Sequence, residues 1–299
     1  MKVQDSHQKI STSSLNISAK SPWAMAYYRL RQNKVASISL IVLLGLTLGV
    51  FLGPLLSSFS YDQVDWAHFL SPPSVSNGHL FGTDSNGRDL FVRCLVGGQI
   101  SLMIGLVSSL VSLVIGILYG AISGYIGGKV DAVMMRVVDI LYALPFMFLV
   151  ILLMVLFGKH ILLIFVAIGA INWLDMARIV RGQTLSLKEK EFIQAAKCFG
   201  VGPLMIIIRH ILPNILGLVV VYLSLTIPQI ILAESFLSFL GLGIQEPMTS
   251  WGSLVSQGAQ EMEIAPWSLI FPASFLTISL FCFNFLGDGL RDALDPKTQ

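Results

Sequence analysis

Lysine, arginine, glutamate and glutamine gather in one long interval, Ile179 to Asn214, of a chain that is otherwise apolar. Residues of these types on a helix dock against a soluble partner; by themselves they neither cut nor join bonds. The interval reads as helix, bend, helix. Ser186 and Glu189 stand in the S-x-x-E spacing of a capping box, which predicts a helix starting near Leu187. Phe192, Ala195, Ala196 and Phe199 follow at i, i+3, i+4 and i+7 as one apolar stripe, with Lys188, Glu189, Lys190 and Lys197 on the other faces. Gly200 can take the left-handed conformation that ends such a helix, and Pro203 suits the first turn of the next, which is expected to run to Leu212 until Pro213 stops it. Pattern alone leaves two uses open: a docking helix for a partner, or an amphipathic hairpin lying on its own membrane helices.

Bond-making chemistry finds little support. Gly127-Gly128-Lys129 is followed by Val130, and no G-x-x-x-x-G-K-[ST] occurs, so the phosphate cradle that nucleotide hydrolysis needs is missing. No H-E-x-x-H occurs, and His7, His68, His79, His160 and His210 lack a partner histidine at helical spacing; no catalytic residue and no metal ligand set is expected. Cys94, Cys198 and Cys282 are scattered and read as small apolar residues or free thiols. A serine protease is disfavoured because no serine and histidine share an apolar segment.

The elements that position these residues are set by composition. The chain has 299 residues, 55% hydrophobic and only 12% charged, and its mean hydropathy is +0.77. Soluble domains carry roughly 25% charge, so this is an all-α polytopic membrane protein. A net charge of +2 does not call for nucleic acid. Residues 1–20 read as a disordered tail with no cleavable signal, and residues 21–34, with Trp23, Tyr27, Tyr28, Arg29, Arg31 and Lys34, as an interfacial elbow helix. The first span is placed at 35–57. Its charge-free part, Val35 to Leu56, would be about 33 Å long as a helix, enough for a hydrocarbon core of about 30 Å.

A loop at 58–93 precedes a core at 94–299. Further uncharged segments at Cys94–Gly128, Ile140–Gly158, Ile161–Leu174, Ile211–Ala233 and Ile264–Gly287 bring the expected spans to six. Only Lys159 and His160 separate the third from the fourth, which implies a tight hairpin, and the fourth is expected to continue helically past Asp175 towards Arg178. Sixteen lysines and arginines fall on the side of the termini and the 178–213 loop, against three on the other. The positive-inside rule therefore puts both termini, 288–299 included, and the 178–213 loop in the cytoplasm, and the 58–93 and 234–263 loops outside.

Within the spans, Gly116, Gly120 and Gly124 repeat at four-residue spacing, a close helix contact either within the chain or across a subunit seam. Pro145 and Pro228 are expected to kink their spans. Arg136, Asp139, Asp175, Glu234 and Asp288 sit at span ends, which disfavours an ion-coupled relay, the runner-up class. A passive structural subunit, a third class, would not need a docking helix. Outside the spans, Gly82-Thr83-Asp84 and Asn86-Gly87 are turn chemistry, Arg88-Asp89 could form a local ion pair, and Phe236 to Gly243 suits a short re-entrant turn. These loops could equally be purely structural.

QAAKCFG followed by IIIRHILPN resembles the signature of bacterial binding-protein-dependent ABC transporter permeases, E-A-A, a later glycine and I-x-L-P; here the positions are Gln194, Ala195, Ala196, Gly200, Ile211, Leu212 and Pro213. Glutamine replaces the family's acid, and Glu191 offers a carboxylate one turn earlier. G-T-D-x-x-G-R-D (Gly82, Thr83, Asp84, Gly87, Arg88, Asp89), S-F-L-G-L-G with a later W-G, and GDGLRDALDP match the peptide- and nickel-carrying subfamily, and within it the C-type membrane subunit of oligopeptide permeases.

The resemblance implies a type I importer fold with a cytoplasmic coupling helix between spans 4 and 5, contacting an ATPase through Glu191, Gln194, Ala195, Ala196, Phe199 and Gly200. It implies no cofactor in this chain, with ATP and magnesium on partner subunits. The implied partners are a homologous second permease subunit, two cytoplasmic ATP-binding subunits and a periplasmic peptide-binding protein in the inner membrane. The cargo would be oligopeptides, alternatively dipeptides or nickel. Ser108, Ser112, Asn172, Tyr222, Ser224 and Gln229 are polar positions in spans that could line a path or simply bond neighbouring helices.

Overall fold

A computed structural model describes residues 22–158 and 161–294. The expected tail at 1–20 and the Lys159–His160 hairpin lie outside the described residues. Within them the chain is helical, with two isolated bridges, Val64 to Arg88 and Thr83 to Asp89, pinning the loop before the second long helix.

The elbow helix α1 (Pro22–Gln32) leads into α2 (Lys34–Leu56), whose first turn is capped by Asn33 accepting from the Ala36 amide at 3.1 Å. Helix α3 (Leu90–Ile126) is capped by Asp89, which accepts from the Val92 amide at 2.8 Å. Then follow α4 (Gly128–Tyr142), α5 (Phe146–Phe157) and α6 (Ile161–Lys188). The short helices α7 (Glu191–Cys198) and α8 (Pro203–Ile206) precede α9 (Leu212–Phe239), α10 (Trp251–Glu261) and α11 (Trp267–Leu294).

The glycine spacing in α3 serves intrachain packing. A side chain on Gly120 would lie 2.4 Å from the Ala177 carbonyl, one on Gly116 would lie 2.6 Å from Met176, and one on Gly124 would lie 2.8 Å from Thr184. Residue numbers rise together along this seam, from Gly169 beside Val111 to Thr184 beside Gly124, so α3 and α6 run in the same direction. Helix α9 runs against α3, with Ile227 and Ile231 on Gly105. At the far end of α11, Gly289 packs on Ala36 and Leu30, so both ends of the described chain meet at one end of the bundle.

Among the described residues, α2, α3, the Pro203–Phe239 stretch and α11 are each long and apolar enough to cross a membrane, and α4 with α5 makes a fifth if a pair bent by 77° counts as one span. Six were expected. Pro145 does not kink a continuous helix as anticipated; lacking an amide hydrogen and crowding the preceding turn, it breaks the span into α4 and α5. The remaining segment, Ile161–Leu174, is the apolar part of α6, which continues past Asp175 as expected and ends only at Lys188. Helix α4 sits beside the Gly127 end, where Tyr119 donates to the Met134 carbonyl at 2.8 Å. Helix α5 buries Val150 and Met154 in the other half of the bundle, with Ile100, Ile104, Ile168 and Ile230.

Pro213 does not stop its helix. The chain passes through one π-helical turn, Ile207–Ile211, straight into α9, with the Leu212 amide donating to the Ile207 carbonyl and the Asn214 side chain to the His210 carbonyl at 2.6 Å. The wider turn accommodates a residue that cannot donate. Pro228 lies inside an unbroken α9. Nor is Phe236–Gly243 a re-entrant turn: α9 runs to Phe239 and closes with Leu242 donating to the Leu237 carbonyl at 2.9 Å and Gly241 at φ +73°.

Candidate functional site

Two polar constructions occupy opposite ends of the bundle. The first is built around α7. Because α6 carries on through Ser186 to Lys188, the anticipated capping box and the start near Leu187 are not formed; the short helix begins at Glu191 with Lys190 before it. Ser186 stays inside a helix whose i−4 ladder is intact, so its hydroxyl has no free amide to cap.

The face that packs inward also differs from the expected stripe. Ile193 and Ala196 are buried against Ala121, Met176, Val180, Ile206 and Ile211. Phe192, Ala195 and Phe199 point outward, Phe199 being 86% exposed. The hairpin therefore rests on its own helices through one edge and leaves an apolar row uncovered. Gly200 ends α7 as expected, at φ +77°, with the Val201 amide bonding the Ala196 carbonyl at 3.1 Å and the Gly200 amide the Lys197 carbonyl at 2.9 Å. Pro203 opens the next helix, also as expected.

Gln194 acquires a reason of its own. Its side-chain amide donates to the Lys188 carbonyl at 3.1 Å, closing the exposed end of α6. A carboxylate has no proton to donate there. Beneath this junction Asp131 takes both Arg181 Nε and Nη2 at 2.6 Å and the Ser123 hydroxyl at 2.5 Å, tying α4, α3 and α6 together.

The second construction lies at the other end and contains the G-T-D-x-x-G-R-D residues. The turn chemistry is as read: Gly82 and Gly87 have φ of +79° and +71°, and a side chain on either would come 2.5 Å from the Ser71 or Asp65 carbonyl. Thr83 donates to the His68 carbonyl at 2.6 Å and accepts from the Ser71 amide at 2.9 Å. Asp84 accepts from the Asn86 and Arg88 amides, each at 2.9 Å.

The expected Arg88–Asp89 pair is not made. Arg88 reaches back to Asp84 and across to Glu246, each at 2.8 Å, while Asp89 caps α3 and takes His79 Nδ1 at 2.8 Å. Once Asp89 becomes the cap of a helix, its carboxylate is turned away from the preceding residue. Glu246 also accepts from Gln257 at 3.0 Å, and the Arg88 hydrogen bond holds its carboxyl below the usual range. Arg93, fully buried, lies 3.4 Å from Asp84 and donates to Gln257 at 3.3 Å. Trp267 and Trp251 fasten this cluster to α11 and α10, through the Thr83 and Cys94 carbonyls at 3.3 and 2.9 Å.

This end also brings together Asp65, His68 and His79, which sequence spacing did not associate because the turns of a loop carry no period. Deeper in, fully buried Glu234 accepts from Ser238 and Ser250, each at 2.7 Å. Of the polar span positions, Ser108 bonds the Phe165 carbonyl of α6 at 3.1 Å, and Ser224 and Asn172 bond carbonyls of their own helices. Gln229 is exposed.

Residues 116–299 match the family described as binding-protein-dependent transport system inner membrane component, and residues 21–73 the N-terminal TM domain of oligopeptide transport permease C. The chain belongs to this inner membrane component family. It is 62% identical over 285 residues to the oligopeptide transport system permease protein OppC of Escherichia coli (strain K12), covering 95% of this chain and 94% of that one. It is 43% identical over 292 residues to OppC of Bacillus subtilis (strain 168), covering 98% and 93%. It is 46% identical over 275 residues to the dipeptide transport system permease protein DppC of the same bacterium, covering 92% and 85%. Both polar constructions thus belong to a multi-pass protein of the inner membrane component family, and the matched G-T-D-x-x-G-R-D residues hold the loop together and tie it to α3 and α11 through Asp89 and Thr83.

Proposed function

We propose that the chain is the permease subunit of an ATP-driven importer that passes oligopeptides, handed over by a periplasmic binding protein, across the inner membrane. Its similarity over nearly the whole chain to oligopeptide permease subunits carries this reading. A dipeptide cargo is the second reading, favoured by the similarity to a dipeptide permease.

This reading has six crossings, and the directions of the helices support it: α3 and α6 run the same way with the α4–α5 pair between them, and both described ends lie together. The cation bias puts that shared end, with α7, in the cytoplasm. There the uncovered row of Phe192, Ala195 and Phe199, with Glu191 in the first turn of α7, is the surface offered to one of two ATP-hydrolysing subunits, which hold the ATP and magnesium. A second, homologous permease subunit completes the pore.

Energy reaches this chain as movement. Closure of the ATPase pushes on α7, and α7 is keyed to the spans through Ile193 and Ala196 below and Gly200 at its end. In Gly200→Val, a β-branched residue at positive φ costs at least about 1–2 kcal/mol locally and re-aims the segment after α7. Inserted protein with peptide uptake reduced tenfold or more is expected in a strain lacking the native subunit; wild-type uptake would refute the coupling role.

A further inference from the structure

The loop between α2 and α3 holds a cluster that the transport reading does not use. One ligand atom from each of Asp65, His68 and His79 lies within 4.8 Å of the others. His79 is 1% exposed, and its Nδ1 lies 2.8 Å from Asp89 Oδ2. Asp89 is itself held by the Val92 amide, so Nδ1 carries the proton and donates it. With Nδ1 engaged by Asp89, Nε2 is the ring atom left to ligate, and it faces Asp65 Oδ2 at 3.4 Å.

That distance is at the long limit for a hydrogen bond. It is, however, about the separation of two ligands on one tetrahedral ion with bonds of about 2.0–2.1 Å. His68 Nδ1 lies 2.8 Å from the same oxygen, Asp65 Oδ2. Phe59 stacks on the His79 ring at 4.5 Å and fixes its plane. A cleft of about 430 Å³, lined by Phe59, Gln63, Asp65, Trp66 and His79 among others, opens beside the Asp65 and His79 members of the cluster and leaves room for an ion and its remaining water ligands.

We infer that Asp65, His68 and His79 form a binding site for a divalent first-row transition metal of the zinc type, with Asp89 orienting His79 from behind. Two imidazoles and one carboxylate suit zinc, cobalt or nickel rather than magnesium or calcium, which prefer oxygen alone. Bound there, the ion clips the Asp65–His68 turn to His79 and, through Asp89, to the first turn of α3.

The test uses the full chain in lipid nanodiscs, purified with a tag free of histidine and stripped with a chelator. Zn²⁺ is titrated in competition with a chromophoric chelator, and Co²⁺ is followed by its visible absorption. One ion per chain is expected, with affinity falling at least tenfold in His68→Ala and in Asp65→Asn and a tetrahedral cobalt band lost in both. His79→Ala should abolish binding, but the ring is buried and its loss disturbs the loop; the half-exposed His68 keeps the test independent of folding. Failure of the wild type to bind stoichiometrically, or unchanged affinity in His68→Ala and Asp65→Asn, overturns the site and leaves a hydrogen-bonded cluster. Either result is independent of whether the chain carries peptides.

Discussion

At the residue scale the informative substitutions are those that separate a charge from a hydrogen bond. Gln194→Glu keeps shape but loses the donor to the Lys188 carbonyl, an exposed bond worth about 0.5–1 kcal/mol. Amide exchange around Lys190 and Glu191 should quicken a few-fold in that variant; unchanged exchange would show that Gln194 does not hold the junction. Glu246 gives a pH prediction. Its carboxyl is depressed in the folded chain by Arg88, so its contribution is present above the ordinary carboxylate pKa of roughly 4.3 and disappears as pH falls through the lower folded value. The wild type should therefore lose some thermal stability below about pH 4 that Glu246→Gln already lacks, by a small amount because the side chain is half exposed. Parallel pH profiles for the two would contradict the Arg88–Glu246 link. Turn residues such as Gly82 and Gly87 were readable because glycine at positive φ is a local requirement. The partner of Arg88 was not readable: Glu246 stands 158 residues away and nothing local announces it.

At the element scale, the bend after α7 followed from Gly200 and Pro203, since both act on their own backbone. The start of α7 was misread because a capping box is a signal only where a helix begins, and α6 runs through Ser186. Likewise Pro213 looked like a stop because a π-helical turn, which no residue type encodes, lets the helix pass. The stripe was seen, but its orientation depends on Ile193 meeting Val180 and Ile211 from elsewhere in the chain. Two predictions belong here. Phe192→Ser with Phe199→Ser should leave thermal stability within about 0.5 kcal/mol, since both rings are exposed, yet cut peptide uptake several-fold. Stable protein with full uptake would mean that the row docks nothing. Gly120→Val should do the reverse, forcing α3 from α6 at the Ala177 carbonyl and lowering the yield of folded protein by the equivalent of about 1–3 kcal/mol or more. A fully stable Gly120→Val would contradict the close α3–α6 seam.

At the scale of the whole molecule, composition was enough for a helical membrane protein, since apolar segments of spanning length dominate the chain. The third expected span was harder, because the chain breaks at Pro145 into two helices at 77°. The apolar side chains left uncovered on the described chain include Ile38, Leu48 and Leu55 of α2 and the small row of α7.

The most direct measurement extracts the chain gently from its native membrane with a tag free of histidine and identifies what comes with it, for the wild type and for the Phe192→Ser, Phe199→Ser double variant. Two P-loop ATPases and a second permease subunit are expected with the wild type, and the ATPase docked on α7 should be lost or depleted with the variant. A wild-type chain that purifies alone, or only with copies of itself, would contradict the account.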